Sequence, residues 1–260
     1  MNNFFKFMDI SYFSCDLLDS SLVVSEKNGT LNFIGNSISS FTPDHLKKFV
    51  RFYPADDFVF TTSDSLGLRV WDREKEVEIY SYPQDSLGPH KYSLSKTIGA
   101  ISPLGVKIYD IRTRYHVSSC SLPLSLGLAW DLDDLVCFSE DRILKFDLRR
   151  EKIIEEVQDQ NICEIMISKG DLFYIKEFNL KNYLVKKDLN YEIETVGKKG
   201  SVLEDGTVYV FGNNEVKFYN EKSNKLKEFK FVKNVDDIKF TKYNTYLFGD
   251  KKLYLGENEK

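Results

Sequence analysis

Histidine and cysteine, which most often build metal and nucleophilic sites, are scarce in this chain of 260 residues. The three histidines, His45, His90 and His116, stand far apart, and none has a cysteine, histidine or aspartate at the spacing of a metal-ligand motif. The chain also has no G-x-S-x-G sequence, no glycine-rich phosphate loop and no kinase signature. These absences predict a protein that is not an enzyme and that holds no cofactor and no metal.

The cysteines give no sign of disulfides. None of the four, Cys15, Cys120, Cys137 and Cys163, belongs to a C-x-x-C pair, and each lies in or beside an apolar run. Reduced cysteine behaves as a small apolar side chain, so we expect these residues to fill the core.

Long apolar runs and a strong net charge are also missing. No stretch approaches the roughly 20 apolar residues of a membrane span, and the opening MNNFFKFMDISYF is too short and too polar for a signal sequence. Lys and Arg number 36 against 40 for Asp and Glu, so the net charge of −4 favours neither nucleic acid nor an anionic membrane as partner. We expect a soluble intracellular protein of the nucleus or cytoplasm.

Phenylalanine and tyrosine, at 20 and 15 residues, are abundant, and they recur in a hairpin pattern. Seven strand–turn–strand runs lie at 21–35, 58–72, 97–110, 135–150, 172–188, 207–220 and 244–256. Their tips carry Gly, Asn or Pro, which favour hairpin turns. A short apolar run precedes most hairpins and a more polar run follows, which makes four strands per unit. This period of about forty residues predicts an all-β fold, a single seven-bladed β-propeller of four-stranded antiparallel blades.

The units account for nearly the whole chain, so we expect one domain over 1–260. Its approximate blades are 8–42, 46–82, 90–122, 125–159, 161–197, 198–232 and 233–260. The last unit stops after its third strand, and residues 3–7 are predicted to supply the missing outer strand. An open ring would otherwise expose two unpaired sheet edges.

The third strand of one unit ends in Trp71-Asp72, and here the chain resembles the WD-repeat family. Other units hold an aromatic residue and Asp or Asn in the same place: Tyr109-Asp110, Phe146-Asp147 and Tyr219-Asn220. The family's Gly-His dipeptide is mostly missing. We therefore expect apolar packing to hold some blades in place of the family's buried His–Asp–Ser/Thr hydrogen bonds.

Residues 46–150, with the runs VRFYPADDFVFTTSDSLGLRVWD and LAWDLDDLVCFSEDRILKFDLRR, have a narrower resemblance. They resemble the Cockayne syndrome group A family of WD-repeat proteins. That resemblance implies a protein-interaction scaffold, a substrate receptor of a cullin–RING ubiquitin ligase in transcription-coupled nucleotide excision repair. The implied partner is the damaged-DNA-binding adaptor of such ligases.

Two successive units end in aromatic-Asp-x-Arg, with Asp110 and Arg112 in one and Asp147 and Arg149 in the next. Paired boxes of this kind are similar to those of receptors that dock on the adaptor, which implies these four residues as its binding rim. Two guanidinium forks on one rim would suit acidic or carbonyl partners. Alternatively, Arg112 and Arg149 are solvated turn residues that pair locally with Asp110 and Asp147.

Two other functions remain open. The chain could be a WD-repeat scaffold subunit of another nuclear or cytoplasmic assembly, in ribosome biogenesis or chromatin. It could also be a propeller hydrolase whose metal is held by the acidic pairs Asp56-Asp57, Asp133-Asp134 and Asp236-Asp237. Turn chemistry accounts for these pairs as well. The basic stretch from Arg142 to Lys152 is interleaved with acids, and we interpret it as a solvated strand and turn.

Overall fold

The structure is a computed structural model. It describes residues 5–9, 12–18, 21–35, 37–42, 51–54, 59–64, 67–72, 74–83, 90–92, 96–113, 115–189, 191–203, 205–212, 214–220, 224–231, 235–241, 244–249 and 252–257. Over these residues the regular structure is β-strand, apart from one 3-10 turn at Lys187–Leu189. The alternating apolar and polar pattern of the chain therefore gives extended backbone, as the sequence predicts.

The strands form seven antiparallel sheets of four strands each. Strand β1 (Phe5–Asp9) precedes the first sheet. The first sheet contains β2 (Tyr12–Leu18), β3 (Ser21–Glu26), β4 (Leu31–Ile34) and β5 (Ile38–Phe41). The second contains β6 (Arg51–Pro54), β7 (Val59–Asp64), β8 (Gly67–Asp72) and β9 (Val77–Pro83). The third contains β10 (His90–Tyr92), β11 (Thr97–Ser102), β12 (Gly105–Asp110) and β13 (His116–Cys120).

The later sheets repeat this order. The fourth contains β14 (Gly127–Asp131), β15 (Asp134–Phe138), β16 (Arg142–Asp147) and β17 (Lys152–Gln158). The fifth contains β18 (Ile162–Ser168), β19 (Asp171–Phe178), β20 (Lys181–Lys186) and β21 (Tyr191–Thr195). The sixth contains β22 (Lys199–Val202), β23 (Val208–Gly212), β24 (Glu215–Tyr219) and β25 (Lys225–Lys230). The seventh contains β26 (Asp237–Phe240), β27 (Asn244–Gly249), β28 (Lys252–Glu257) and, as its outer strand, β1.

The N-terminal strand completes the seventh sheet, as the sequence predicts. Strand β1 pairs antiparallel with β28, with Phe5 opposite Leu255 and Asp9 opposite Lys252. It continues to Asp9, two residues beyond the predicted end, while residues 3 and 4 lie outside the described residues. The edge of β28 is therefore paired within the chain instead of being exposed.

The chain divides into two compact units, one of Met1–Ser121 with Lys239–Lys260 and one of Leu122–Ile238. In each unit, neighbouring sheets share an apolar core. In the first unit a cluster joins the first and seventh sheets through Cys15, Leu22, Val24, Ile34, Tyr246, Phe248 and Leu253. In the second a cluster joins the fourth and fifth sheets through Ala129, Val136, Phe138, Ile143, Ile162, Ile165, Tyr174 and Val185. Burial of these side chains is the main favourable contribution to folding.

The cysteines are reduced. Cys15, Cys120 and Cys137 are buried in the core, as expected, and Cys163 is half-buried with its Sγ 3.3 Å from the carbonyl oxygen of Asn161. Burial raises the pKa of the Cys163 thiol. In the described parts of the chain, no helix has the length and apolar character to cross a membrane.

Four outer strands carry a β-bulge at the same place, opposite the aromatic residue that is the last or the last but one of the third strand. In each strand one extra residue stands where its partner strand has none, and it is aliphatic: Ile79, Val117, Ile154 and Leu226. It follows the aromatic residue by eight positions in three sheets and by seven in the sixth. A bulge bends and twists the strand that contains it, so these outer edges are not straight.

Candidate functional site

The aspartates that end the third strands bind the turns that follow them. In three sheets a carboxylate oxygen accepts a hydrogen bond from a backbone N–H two or three residues later. These bonds join Asp72 to Lys75 (2.9 Å), Asp110 to Arg112 (2.8 Å) and Asp147 to Arg150 (2.9 Å). Such side-chain bonds to the local backbone stabilise a tight turn. The aromatic-Asp motif therefore fixes the connection between the third and fourth strands.

In the third sheet, Arg112 is paired with Asp110. Its Nε donates to Asp110 Oδ1 at 2.9 Å and its Nη2 to Oδ2 at 2.5 Å, the two-bond geometry that suits a guanidinium and a carboxylate. The Arg112 side chain nevertheless remains 64% exposed, while that of Asp110 is 12% exposed. The local pairing expected for a turn residue is thus present here, and it holds the guanidinium in one orientation at the surface.

The Arg112 guanidinium, with the turn amide, holds the pKa of Asp110 below its usual range. A carboxyl whose folded pKa is depressed contributes stability above its unfolded pKa of about 3.9, and the contribution is lost as pH falls through the folded value. We expect Arg112→Gln to raise the Asp110 pKa towards the ordinary value, measured by carbon NMR titration of the carboxyl. Arg149→Gln is the control and should leave the Asp110 pKa unchanged. An Asp110 pKa that stays low in Arg112→Gln would assign the shift to the turn amide instead.

At the fourth sheet, Arg149 does not pair with Asp147, so that part of the local-pairing hypothesis is wrong. Arg149 Nη2 donates to Asp133 Oδ2 at 2.8 Å, and the Arg149 side chain is 82% exposed. Asp147 instead bonds the backbone N–H of Arg150 and lies 3.5 Å from its Nε. Asp134 lies opposite Asp147 in the sheet register, which brings the β14–β15 turn beside the end of β16. This neighbouring turn supplies the partner of Arg149.

The tryptophan of the WD-like motif makes a buried hydrogen bond. Trp71 Nε1 donates to Thr62 Oγ1 at 2.8 Å, and the Phe41 ring meets the indole edge-on with centroids 5.5 Å apart. In the sixth sheet Tyr219 stands in the same place and donates from its hydroxyl to Thr195 Oγ1 at 2.9 Å. The N–H or O–H donor of the buried aromatic residue therefore has a hydrogen-bond acceptor in both sheets, although the Gly-His dipeptide is mostly missing.

A further polar cluster at the fifth sheet was not predicted from the sequence. Asp159 Oδ2 accepts hydrogen bonds from Tyr174 Oη at 2.8 Å and from Lys176 Nζ at 2.9 Å, and Lys176 also pairs with Glu192 at 2.6 Å. Burial and the bond to Asp159 raise the pKa of Tyr174 above its usual range. Because Asp159 follows β17 and Tyr174 lies in β19, the cluster ties the fourth sheet to the fifth.

The acidic pairs considered as metal ligands have other partners where the structure describes them. Asp133 pairs with Arg149, Asp134 lies 3.4 Å from Lys145 Nζ, and Asp237 Oδ1 accepts the backbone N–H of Ile238. The pair at positions 56–57 and the histidine at position 45 lie outside the described residues. Among the residues described, no three His, Cys, Asp or Glu side chains are placed to hold a metal ion.

The basic stretch at the fourth sheet is balanced by acids. Arg142 donates to Asp141 at 2.9 Å, and Lys145 donates to Asp131 at 2.6 Å. These pairs agree with a solvated strand and turn and give no reason to assign nucleic-acid binding here.

Neither family models nor the sequences of curated proteins match this chain. Solved structures do. The Cps50 (Swd1) β-propeller domain of Myceliophteria thermophila superposes with a TM-score of 0.73 at 11% identity and covers 100% of both chains. Sqt1 of Saccharomyces cerevisiae gives 0.68 at 12% identity over 96% of this chain and 84% of its own. The computationally designed protein Ika8 gives 0.67 at 11% identity over 96% and 97%. At such identities the likeness shows the fold alone, and it confirms the predicted seven-bladed β-propeller of four-stranded blades.

Proposed function

We propose that this chain is a non-catalytic scaffold that binds other proteins through the turns at the ends of its third strands. A propeller fold hosts many functions, so the fold by itself does not decide this one. The observation that supports the proposal is the state of Arg112 and Arg149. Each guanidinium is largely exposed, yet a nearby carboxylate already orients it, Asp110 for Arg112 and Asp133 for Arg149.

Oriented, exposed arginines favour binding for a physical reason. Ordering a long side chain on association costs about 0.5–1.5 kcal/mol, and a side chain held in place beforehand avoids part of that cost. The planar guanidinium still presents further N–H donors to a carboxylate or carbonyl group of a partner. A local ion pair and a docking role are therefore compatible at these two positions.

The partner that we propose is the damaged-DNA-binding adaptor of cullin–RING ubiquitin ligases, with Asp110, Arg112, Asp147 and Arg149 as the contacting residues. The resemblance of residues 46–150 to the Cockayne syndrome group A family supports this choice. Asp110 and Asp147 would act by holding the turns, since each binds a backbone N–H of its own turn. Arg112 and Arg149 would make the contacts. The chain would then act as a substrate receptor in transcription-coupled repair.

This proposal is tested by retention of the purified adaptor on the immobilised chain. We expect Arg149→Glu to weaken retention at least tenfold, because it reverses the charge of an exposed donor and places it beside Asp133. Arg142→Glu is the matched control, since Arg142 begins β16 and also pairs with a neighbouring aspartate. Equal loss in both variants, or no retention by the unaltered chain, would rule out the adaptor.

The alternative partner is another nuclear or cytoplasmic assembly, in ribosome biogenesis or chromatin. The same unaltered chain, used to capture proteins from a cell extract followed by mass spectrometry, separates the two. Capture of preribosomal or chromatin subunits that Arg149→Glu releases would keep the scaffold proposal and replace the adaptor. Partners that neither Arg112→Glu nor Arg149→Glu releases would contradict the use of these turns.

A further inference from the structure

The second unit contains a cavity of about 110 Å³ between the fourth and fifth sheets. Part of its wall is aliphatic and comes from β16 to β19, with the side chains of Ile143, Val157, Ile167 and Leu172, and most of the rest is charged. Such a volume has room for several water molecules, but the aliphatic part of the wall offers them no hydrogen-bond partners. That part of the cavity therefore suits an apolar group better than a polar one.

The mouth of the cavity is charged, with carboxylates in excess. Lys145 Nζ is held by Asp131 at 2.6 Å and by Asp134 at 3.4 Å, and Lys187 is paired with Glu155. Both ammonium groups at the mouth are therefore already neutralised by the protein itself. The carboxylates at and beside the mouth outnumber these two groups, and with Asp188 they number four.

Asp188 is the carboxylate left for a ligand. It is exposed, it follows Lys187 in the 3-10 turn, and in the part of the chain that the structure describes no cation pairs with it. An incoming anion would have to displace Asp131 and Asp134 from Lys145 before it could bind. An incoming cation would meet Asp188 without breaking any existing pair.

We propose that this cavity binds the side chain of a lysine or arginine presented by a partner protein. The aliphatic stem of the side chain would lie against Ile143, Val157, Ile167 and Leu172, and its cationic group would lie at Asp188. Long basic side chains commonly bury their methylene stems on apolar surface while the charge remains at the water boundary. The site takes a basic group, whereas Arg112 and Arg149 suit acidic or carbonyl groups, so it goes beyond the adaptor proposal and does not depend on it.

The test uses four blocked pentapeptides of glycine and serine that differ only in the central residue: arginine, lysine, norleucine or glutamate. Each is titrated into the full chain labelled at the methyl groups of isoleucine, leucine and valine. The arginine and lysine peptides are expected to shift the methyl signals of Ile143, Val157, Ile167 and Leu172 in a saturable way. Norleucine, which keeps the stem and lacks the charge, should bind more weakly.

Two variants separate the charge from general surface effects. Asp188→Asn should weaken binding of the arginine peptide about two- to fivefold, the range of an exposed ion pair. Glu140→Gln changes an exposed acid between β15 and β16 of the fourth sheet, which does not line the cavity, and should leave binding unaltered. Because both residues are exposed, both variants should fold, which circular dichroism checks.

Three outcomes would overturn the proposal. Equal binding of norleucine and arginine would show an apolar pocket without selectivity for charge. Tighter binding of the glutamate peptide would show that Lys145 or Lys187 binds an anion. Absence of saturable methyl shifts with every peptide would show that the cavity admits no side chain. Each of these results leaves the adaptor experiment unaffected, since that experiment measures the effect of Arg149→Glu on retention of the adaptor.

Discussion

Replacing Trp71 with alanine is expected to lower the free energy of unfolding by about 3–5 kcal/mol, the usual cost of removing a buried large aromatic side chain. The indole is only 1% exposed and packs with Val23 and Leu31 in a core that joins the first two sheets. Its removal would leave a cavity lined by these side chains and by Phe41. Urea unfolding followed by far-ultraviolet circular dichroism measures the loss.

Thr62→Val separates the hydrogen bond of Trp71 from its packing. Valine keeps the shape of threonine but cannot accept the indole N–H, so the variant should lose about 1–3 kcal/mol, the cost of an unsatisfied buried donor. It should therefore lie between the unaltered chain and Trp71→Ala. A loss below about 1 kcal/mol in Trp71→Ala would show that the indole does not hold the sheets together, whatever Thr62→Val does.

Deletion of residues 1–9 is expected to lower the melting temperature by about 10 °C or more and to make the chain associate. The deletion removes β1, whose Phe7 and Met8 pack on the core of the first and seventh sheets. A loss of several kcal/mol corresponds to a fall of this size in a chain of this length. Strand β28 would then present unpaired backbone groups, which template pairing between chains. Scanning calorimetry and light scattering measure the two effects.

A peptide of residues 1–12 added to the deleted chain should restore the melting temperature, because the missing strand can then pair with β28 in trans. The control is a peptide with the same residues in reversed order, which should not restore it. A deleted chain that stays monomeric and melts at the original temperature would contradict the stabilising role of β1.

The sequence predicted the fold well because its signals were local. Turn residues such as Asn28-Gly29, the alternation within each strand and the repeat of about forty residues all depend on neighbours along the chain. The pairing of β1 with β28 joins the two ends of the chain, yet it was predicted, since the seventh unit was one strand short. Counting strands per unit was enough for that inference.

The candidate site was predicted less well, because side-chain partners depend on packing between turns. Arg149 meets Asp133, sixteen positions earlier, and not the Asp147 that stands two positions before it. The hydrogen bonds of Asp159 to Tyr174 and Lys176 likewise link the loop after β17 to strand β19 of the next sheet. Sequence spacing carries no signal for such contacts. The bulges do have a signal in the sequence. The same spacing of eight positions separates Trp71 from Ile79, Tyr109 from Val117 and Phe146 from Ile154.

The bulges of the outer strands bear on how the protein behaves when it is concentrated. Fibril growth needs a straight strand whose backbone groups match those of an arriving strand over several residues. An extra residue at Val117, Ile154 or Leu226 interrupts that match near one end of each strand. The aliphatic side chains there are 41–54% exposed, and a regular edge with the same side chains would be a template for aggregation. These single extra residues thus remove a regular template for strand pairing from three sheet edges.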